Sequence, residues 1–265
     1  MLIYGIDFSG ARDAGESIWV AAGKTRLGRL RIDYLAAARD LPGSSPARQE
    51  SLRCITFLIA GSGACKAGLD FPFSLPSEMI GEDWAGWALS LGRRFADAES
   101  FRDWCRQTAG GQEKLRRTDI ETGAPMCAWN LRVYRQTYFG IRDVLAPLVR
   151  SDLARVVPMQ EPDRRKPQLY EVCPASTLKA AGLYISYKET GPADRVSRRE
   201  ARRVILEWLE KSCRVRFAAP ELRRRALDDG AGNALDAVLC AFAAARAWPR
   251  LSADPVERVE GRVYF

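Results

Sequence analysis

Hydrophobic positions along the chain change period several times, and each change predicts an element. Residues 2–7 (LIYGID) are β-favouring and apolar up to a terminal Asp7, which reads as a buried strand ending in a carboxylate. ESIWVAAG (16–23) and LRIDYL (30–35) read as two further strands joined by the basic turn GKTRLGR, giving an antiparallel three-strand meander. Residues 46–61 shift to a helical period, with apolar side chains at 52, 55, 58 and 59, a start signal at Pro46 and a stop at Gly61. CKAGLD (65–70) then returns to a short strand. A helical crossover of this kind is right-handed and tends to lay its new strand beside an earlier one. Pairing with the first strand would make Asp7 and Asp70 neighbours at the carboxyl ends of parallel strands, where α/β sheets place ligands.

Prolines 72 and 76 interrupt the pattern, and Trp-rich helical stretches follow near 82–92, 98–108 and 130–150. Residues 71–165 therefore read as a mainly helical insertion in a single domain spanning 1–265, closed by the basic loop EPDRRKP. QLYEVCP is another short strand, whose proline opens the helix ASTLKAAG. An amphipathic basic helix over 196–212, a mostly apolar helix over 231–247 and a terminal strand, RVYF, complete the chain. The fold class expected is α/β: a mixed five-stranded sheet, meander plus parallel strands, flanked by helices.

Composition narrows the chemistry mainly through what it lacks. Histidine is absent from all 265 residues, which removes Ser-His-Asp and Cys-His catalysis, H-E-x-x-H zinc proteases and zinc deaminases. The seven cysteines are widely spaced with no C-x-x-C pair, as expected of packed, reduced thiols. No basic patch leads into an apolar segment at the start and no long uncharged run occurs, so neither a signal peptide nor a membrane span is expected, and the cytoplasm is the expected location. The net charge of +8, from 41 basic and 33 acidic residues, leans toward a polyanionic partner, nucleic acid before membrane.

The candidate chemistry lies in carboxylates set among apolar residues. Glu171 in LYEVCP shares with Asp7 and Asp70 a short strand with apolar flanks, and like Asp70 it has proline shortly after. In GAGNALDAVLCAFAAARAW, Leu235, Val238, Leu239 and Phe242 share one face and alanines cover much of the rest, so the helix is enclosed and Asp236 with it; Asp229, Asn233 and Cys240 fall on the same stripe. Enclosing an isolated carboxylate costs several kcal/mol or forces its protonation, and clustering several adds repulsion. A hard divalent cation, Mg²⁺ or Mn²⁺, resolves both, and such ions hydrolyse phosphodiesters without histidine. The ordinary roles of these residues are turn fixing for Asp7 and Asp70, arginine pairing for Glu171, and helix capping for Asp229 and Asn233.

GIDFSGA, GLDFPFSLP, LRRTDIETGAP, YEVCPASTLKAAG, the YKETG segment, NALDAVLCAFAAA and EGRVYF, in this order and across nearly the whole chain, resemble the bacterial and archaeal family called domain of unknown function 429. The resemblance implies an RNase H-like fold and a nuclease with catalytic, metal-holding carboxylates at Asp7, Asp70, Glu171 and Asp236. NALDAV is also similar to the C-terminal helix of Holliday-junction resolvases, where Asn233 replaces a frequent second acidic residue or histidine. Arg117, Asp119 and Lys188 fall in family-like stretches and are accessory candidates. Arg164, Arg165, Lys166, Arg198 and Arg202 are candidate phosphate contacts, with a solvated helix or loop face as the ordinary explanation. Trp84, Trp87 and Trp104 are candidate base-stacking residues, although tryptophan is more often core.

Three functions compete at this stage. The first is a divalent-metal-dependent nuclease or phosphodiesterase; the second is a non-catalytic binding module on the same fold. The third, an actin- or sugar-kinase-like phosphotransferase, also begins with strand, Asp, small residue and Gly, but it needs a second glycine-rich phosphate loop and DFPFSLP has no glycine.

Overall fold

A computed structural model describes residues 1–265. Strands are β1 (Leu2–Asp7), β2 (Trp19–Arg26), β3 (Arg29–Ala37), β4 (Cys65–Leu69), β5 (Arg155–Val157), β6 (Gln168–Val172), β7 (Val215–Phe217) and β8 (Val263–Tyr264). Helices are α1 (Ala14–Ser17), α2 (Arg48–Ala60), α3 (Trp84–Arg94), α4 (Ala98–Thr108), α5 (Arg117–Thr122), α6 (Tyr134–Gly140), α7 (Ala146–Arg150), α8 (Pro174–Ala180), α9 (Arg195–Lys211), α10 (Pro220–Asp228), α11 (Asn233–Arg246) and α12 (Pro255–Glu260). The sheet is mixed, with spatial order β5-β6-β4-β1-β2-β3-β7, and β8 continues the outer edge of β6 beyond β5.

The β1-β2-β3 meander is antiparallel and β4 lies parallel to β1, as the helical crossover requires. Eight strands form the sheet where five were expected: β5 and β7 have only three residues each, too few to show a period, and the terminal strand RVYF joins the same sheet as β8. Residues 14–17 are helical rather than the start of the second strand, so β2 begins only at Trp19.

Each sheet face has its own core. Tyr4 and Ile6 point into a large cluster with α2, α3, α4, α6 and α7, so the helices of 71–165 cover this face and share one continuous core with it. The segment still contains β5, and a π-helical stretch, Ile141–Leu145, joins α6 to α7. Trp84 and Trp87 are buried there, and Trp84 Nε1 donates to the carbonyl of Phe73 at 2.8 Å, so these rings pack the core rather than offer a stacking platform. Trp104 is partly buried against Phe95.

The opposite face carries Ile3 with α9, α10 and α11. In α11 every residue from Ala234 to Ala244 is buried, because the helix crosses β1 and β4 at unusually short range. Gly5 and Gly68 are register partners at that crossing. A Cβ on Gly5 would lie 2.1 Å from the amide nitrogen of Ala241, and one on Gly68 would lie 2.6 Å from the carbonyl oxygen of Cys240. Only glycine lets the helix backbone approach so closely. Both ends of the helix are tied: Asp229 Oδ2 accepts from the Ala234 amide at 2.8 Å, and Lys66 Nζ donates to the Ala247 carbonyl at 2.6 Å.

Candidate functional site

Side chains alternate across a strand, so a residue two beyond a glycine shares its face. Asp7 follows Gly5 by two and Asp70 follows Gly68 by two, which aims both carboxylates at the α11 side, at the carboxyl ends of β1 and β4. The Asp70 amide donates to the Ile6 carbonyl at 3.0 Å, which holds the two chain segments side by side. Asp236 lies in the first turn of α11, brought down onto the strand ends by the glycine crossing. Three aspartates from three elements thus lie within electrostatic reach of one another at one end of the sheet.

Their environment opposes ionisation. Burial pushes the Asp7 carboxyl well above the usual range, and Asp236, Asp70 and Asp229 add repulsion. Asp70 is pushed up to about 8, by burial first and by Asp236 next. Asp236 is raised by burial, with Lys188 and Tyr187 acting the other way.

A single ammonium answers these charges. Lys188 Nζ lies 2.6 Å from Asp236 Oδ2, and Tyr187 donates its hydroxyl to Asp236 Oδ1 at 2.5 Å. Burial works against the charged lysine, yet Asp236, Asp7 and Asp70 more than offset it and hold the ammonium above its ordinary range. Two features fix the Tyr187-Lys188 loop. Gly232, with φ of 78°, lets both side chains lie against the start of α11, where a Cβ would meet each at 3.0 Å. Arg202 is buried and donates to the carbonyls of Tyr187 (2.7 Å) and Leu227 (2.8 Å) and to Glu189.

Glu171 belongs to a different cluster. In parallel pairing it stands beside Leu69, one position short of Asp70, so its side chain emerges on the opposite face. There Arg116 grips it with Nη1 and Nη2 and grips Asp119 through Nε (3.0 Å) and Nη2 (2.7 Å). The Phe73 amide donates to Glu171 Oε2 at 2.9 Å and Arg116 Nη1 donates to the Glu260 carbonyl at 3.0 Å, so the cluster links the DFPF loop, β6, α5 and the C-terminal segment. Burial still raises the Glu171 carboxyl, opposed by Arg116.

Both clusters border one cavity of about 530 Å³, whose walls include Asp70, Asp236 and Lys188 on one side and Glu171, Arg116 and Asp119 on the other. Gln136, Arg132, Arg198 and Tyr184 complete its mouth. Asp7 sits behind, buried beside its two partners. No three acidic or cysteine side chains converge tightly enough, as they stand, to hold one ion among them.

The remaining candidates scatter. Asp229 caps α11, and Asn233 is the first residue of that helix, one turn before Asp236, with its side chain making no hydrogen bond. Arg117 pairs with Asp254 at 2.5 Å, away from the cavity. Arg198 lines the cavity while bonding Asp194 and the Ser186 carbonyl. Arg202 is a buried loop clamp and is corrected from phosphate contact to structural support. Arg164, Arg165 and Lys166 lie on the loop leading into β6, at the end of the sheet away from the aspartates, with Lys166 tied to Asp152 at 2.5 Å. Sequence reasoning missed Arg116 and Tyr187, each adjacent to a residue it named. All seven cysteines are free thiols.

The fold and site define an α/β protein with a mixed sheet, helices on both faces and a carboxylate-lined cavity at the carboxyl ends of two parallel strands. Residues 5–256 match the model of a family described as protein of unknown function, DUF429, and the chain belongs to that family. No curated protein and no solved structure matches it. No helix is long and apolar enough to cross a membrane.

Proposed function

We propose that the chain is a divalent-cation-dependent phosphodiester hydrolase acting on nucleic acid, with Asp7, Asp70 and Asp236 holding the cation. The observation that carries this reading is the charge imbalance: three carboxylates gathered from three elements face one ammonium at the wall of an open cavity. A fold gains no stability from such an arrangement, and a second positive charge would relieve it. The donor set contains oxygen only, which suits Mg²⁺ or Mn²⁺. A cation bound there would supply an activated water and stabilise the leaving oxygen of a phosphodiester.

The chain's own residues have definable tasks in this scheme. Tyr187 occupies Asp236 Oδ1, which leaves Oδ2 as the oxygen free to exchange partners. Lys188 holds Oδ2 and is half exposed on a flexible stem, so it can swing toward the cavity and meet a substrate phosphate. Glu171 is excluded from the ligand set, since Arg116 and the Phe73 amide engage both its oxygens.

One observation favours a second reading. Lys188 already neutralises Asp236, and if it stays in place the chain is a non-catalytic nucleic-acid-binding module. Titration calorimetry with Mn²⁺, together with Mg²⁺-dependent cleavage of DNA, RNA and junction substrates, decides between the two. The hydrolase reading expects metal binding and cleavage, both lost in Asp7→Asn. Equal cleavage by that variant and wild type sinks it.

A further inference from the structure

A second charged feature lies at the other end of the sheet, roughly 17 Å from the aspartates along the length of β1 at about 3.3 Å per residue. Lys24 and Arg26 on β2, Arg29 and Arg31 on β3, and Arg214 and Arg216 beside and on β7 are all exposed. Residues two apart on a strand share a face, and the register sets the strands against one another. Lys24 stands opposite Arg31, Arg31 beside Arg216, and Arg26 opposite Arg29. Five cations therefore form rows across three adjacent strands on one face, and Arg214, just before β7, lines the same hollow.

Like charges directly opposite one another in a sheet are destabilising. Only Arg31 has an acidic partner, Asp33 at 2.6 Å, and the other five carry no ion pair. Charged side chains on an edge strand can serve simply to prevent edge pairing. That explanation covers β7, the edge, but not β2, which lies two strands inside it. The six side chains surround a concave surface of about 850 Å³, with Leu27 exposed at the tip of the β2-β3 turn.

We propose that this cationic ladder is a docking surface for the phosphate backbone of a nucleic acid, separate from the carboxylate cavity. Five of the six cations are arginines, whose planar fork engages phosphate oxygens in pairs. The surface is concave and its exposed apolar residues are only Met1 and Leu27, against six cations, which suits a rod-like polyanion better than a bilayer. Its extent across three strands exceeds what one small phosphate ligand can contact. The inference does not depend on the hydrolytic reading.

The test is fluorescence anisotropy of labelled single-stranded and duplex oligonucleotides, in EDTA so that cation-dependent cleavage cannot intervene. Arg26→Ala/Arg29→Ala/Arg216→Ala is expected to weaken binding at least about tenfold and to lower the slope of log affinity against log salt by about 2–3. The same variant should melt no lower than wild type at low salt, because it relieves repulsion. Anionic phosphatidylserine vesicles and polyglutamate serve as competing partners. Unchanged oligonucleotide affinity in the triple variant overturns the proposal, as does wild-type binding to vesicles or polyglutamate without binding to oligonucleotide.

Discussion

Two carboxylate clusters face each other across one cavity and are built on opposite principles. In the Arg116 cluster, two buried carboxylates share one guanidinium, backbone amides of Phe73 and Arg116 supply further donors, and every charged group has partners. In the Asp7-Asp70-Asp236 cluster, the one half-exposed ammonium and the tyrosine hydroxyl both contact Asp236 alone, and Asp7 and Asp70 feel the ammonium only from a distance. The first is a closed structural joint. The second is under-neutralised, and the strain it carries is the reason to regard it as the functional half. The same amino acids thus serve architecture or chemistry according to how completely their charges are answered.

Removing the guanidinium should break the first cluster outright. Arg116→Met leaves Glu171 and Asp119 buried without a counter-charge, an expected loss of about 3–5 kcal/mol in urea unfolding. Lys188→Met, at the half-exposed position, should cost less than that by the same measurement. If the two variants lose equal stability, the distinction between the clusters fails.

Next in size is the platform beneath the second cluster. Gly5→Ala drives a methyl into the backbone of Ala241 and Ala237, which no rotamer change can relieve. It should destabilise by about 3 kcal/mol or lift α11 off β1, carrying Asp236 away from Asp7. Weakened Mn²⁺ binding together with a lower melting temperature is the expected result. Undiminished stability would mean that the close crossing is unimportant.

How much of this was legible beforehand follows from what a sequence carries locally. GID and GLD announced two equivalent strand ends, since the glycine that admits α11 and the aspartate it presents lie within three residues of each other. Asp236 was legible because an acidic residue in an otherwise apolar helix needs a reason. Glu171 looked identical by the same local test, yet it stands one register position away from Asp70 and so faces the other side. Register between strands a hundred residues apart is a tertiary property, and no local pattern encodes it. Arg116 was hidden for a related reason: of two adjacent arginines, the direction of the turn into α5 decides which one points inward. The cationic ladder was half legible as a basic turn, while Arg214 and Arg216 join it only through β7.

The smallest effect is the most discriminating. A carboxylate whose folded pKa is raised keeps its proton in the native state after the unfolded chain has released it. Its contribution is therefore most favourable at low pH, declines as pH rises above the unfolded value of 3.8, and levels off above the folded value of about 8 for Asp70. Asp70→Asn removes that decline, so in EDTA it should be more stable than wild type at pH 8 by about 1–3 kcal/mol and much closer to it at pH 4. Taking the difference between the two proteins cancels the many ionisable groups they share. Saturating Mn²⁺ should reverse the order at pH 8, because only the wild type gains the binding energy of the cation. An Asp70→Asn protein that is less stable in EDTA would place Asp70 with the satisfied carboxylates of the Arg116 cluster, and the contrast between the two halves of the cavity would be lost.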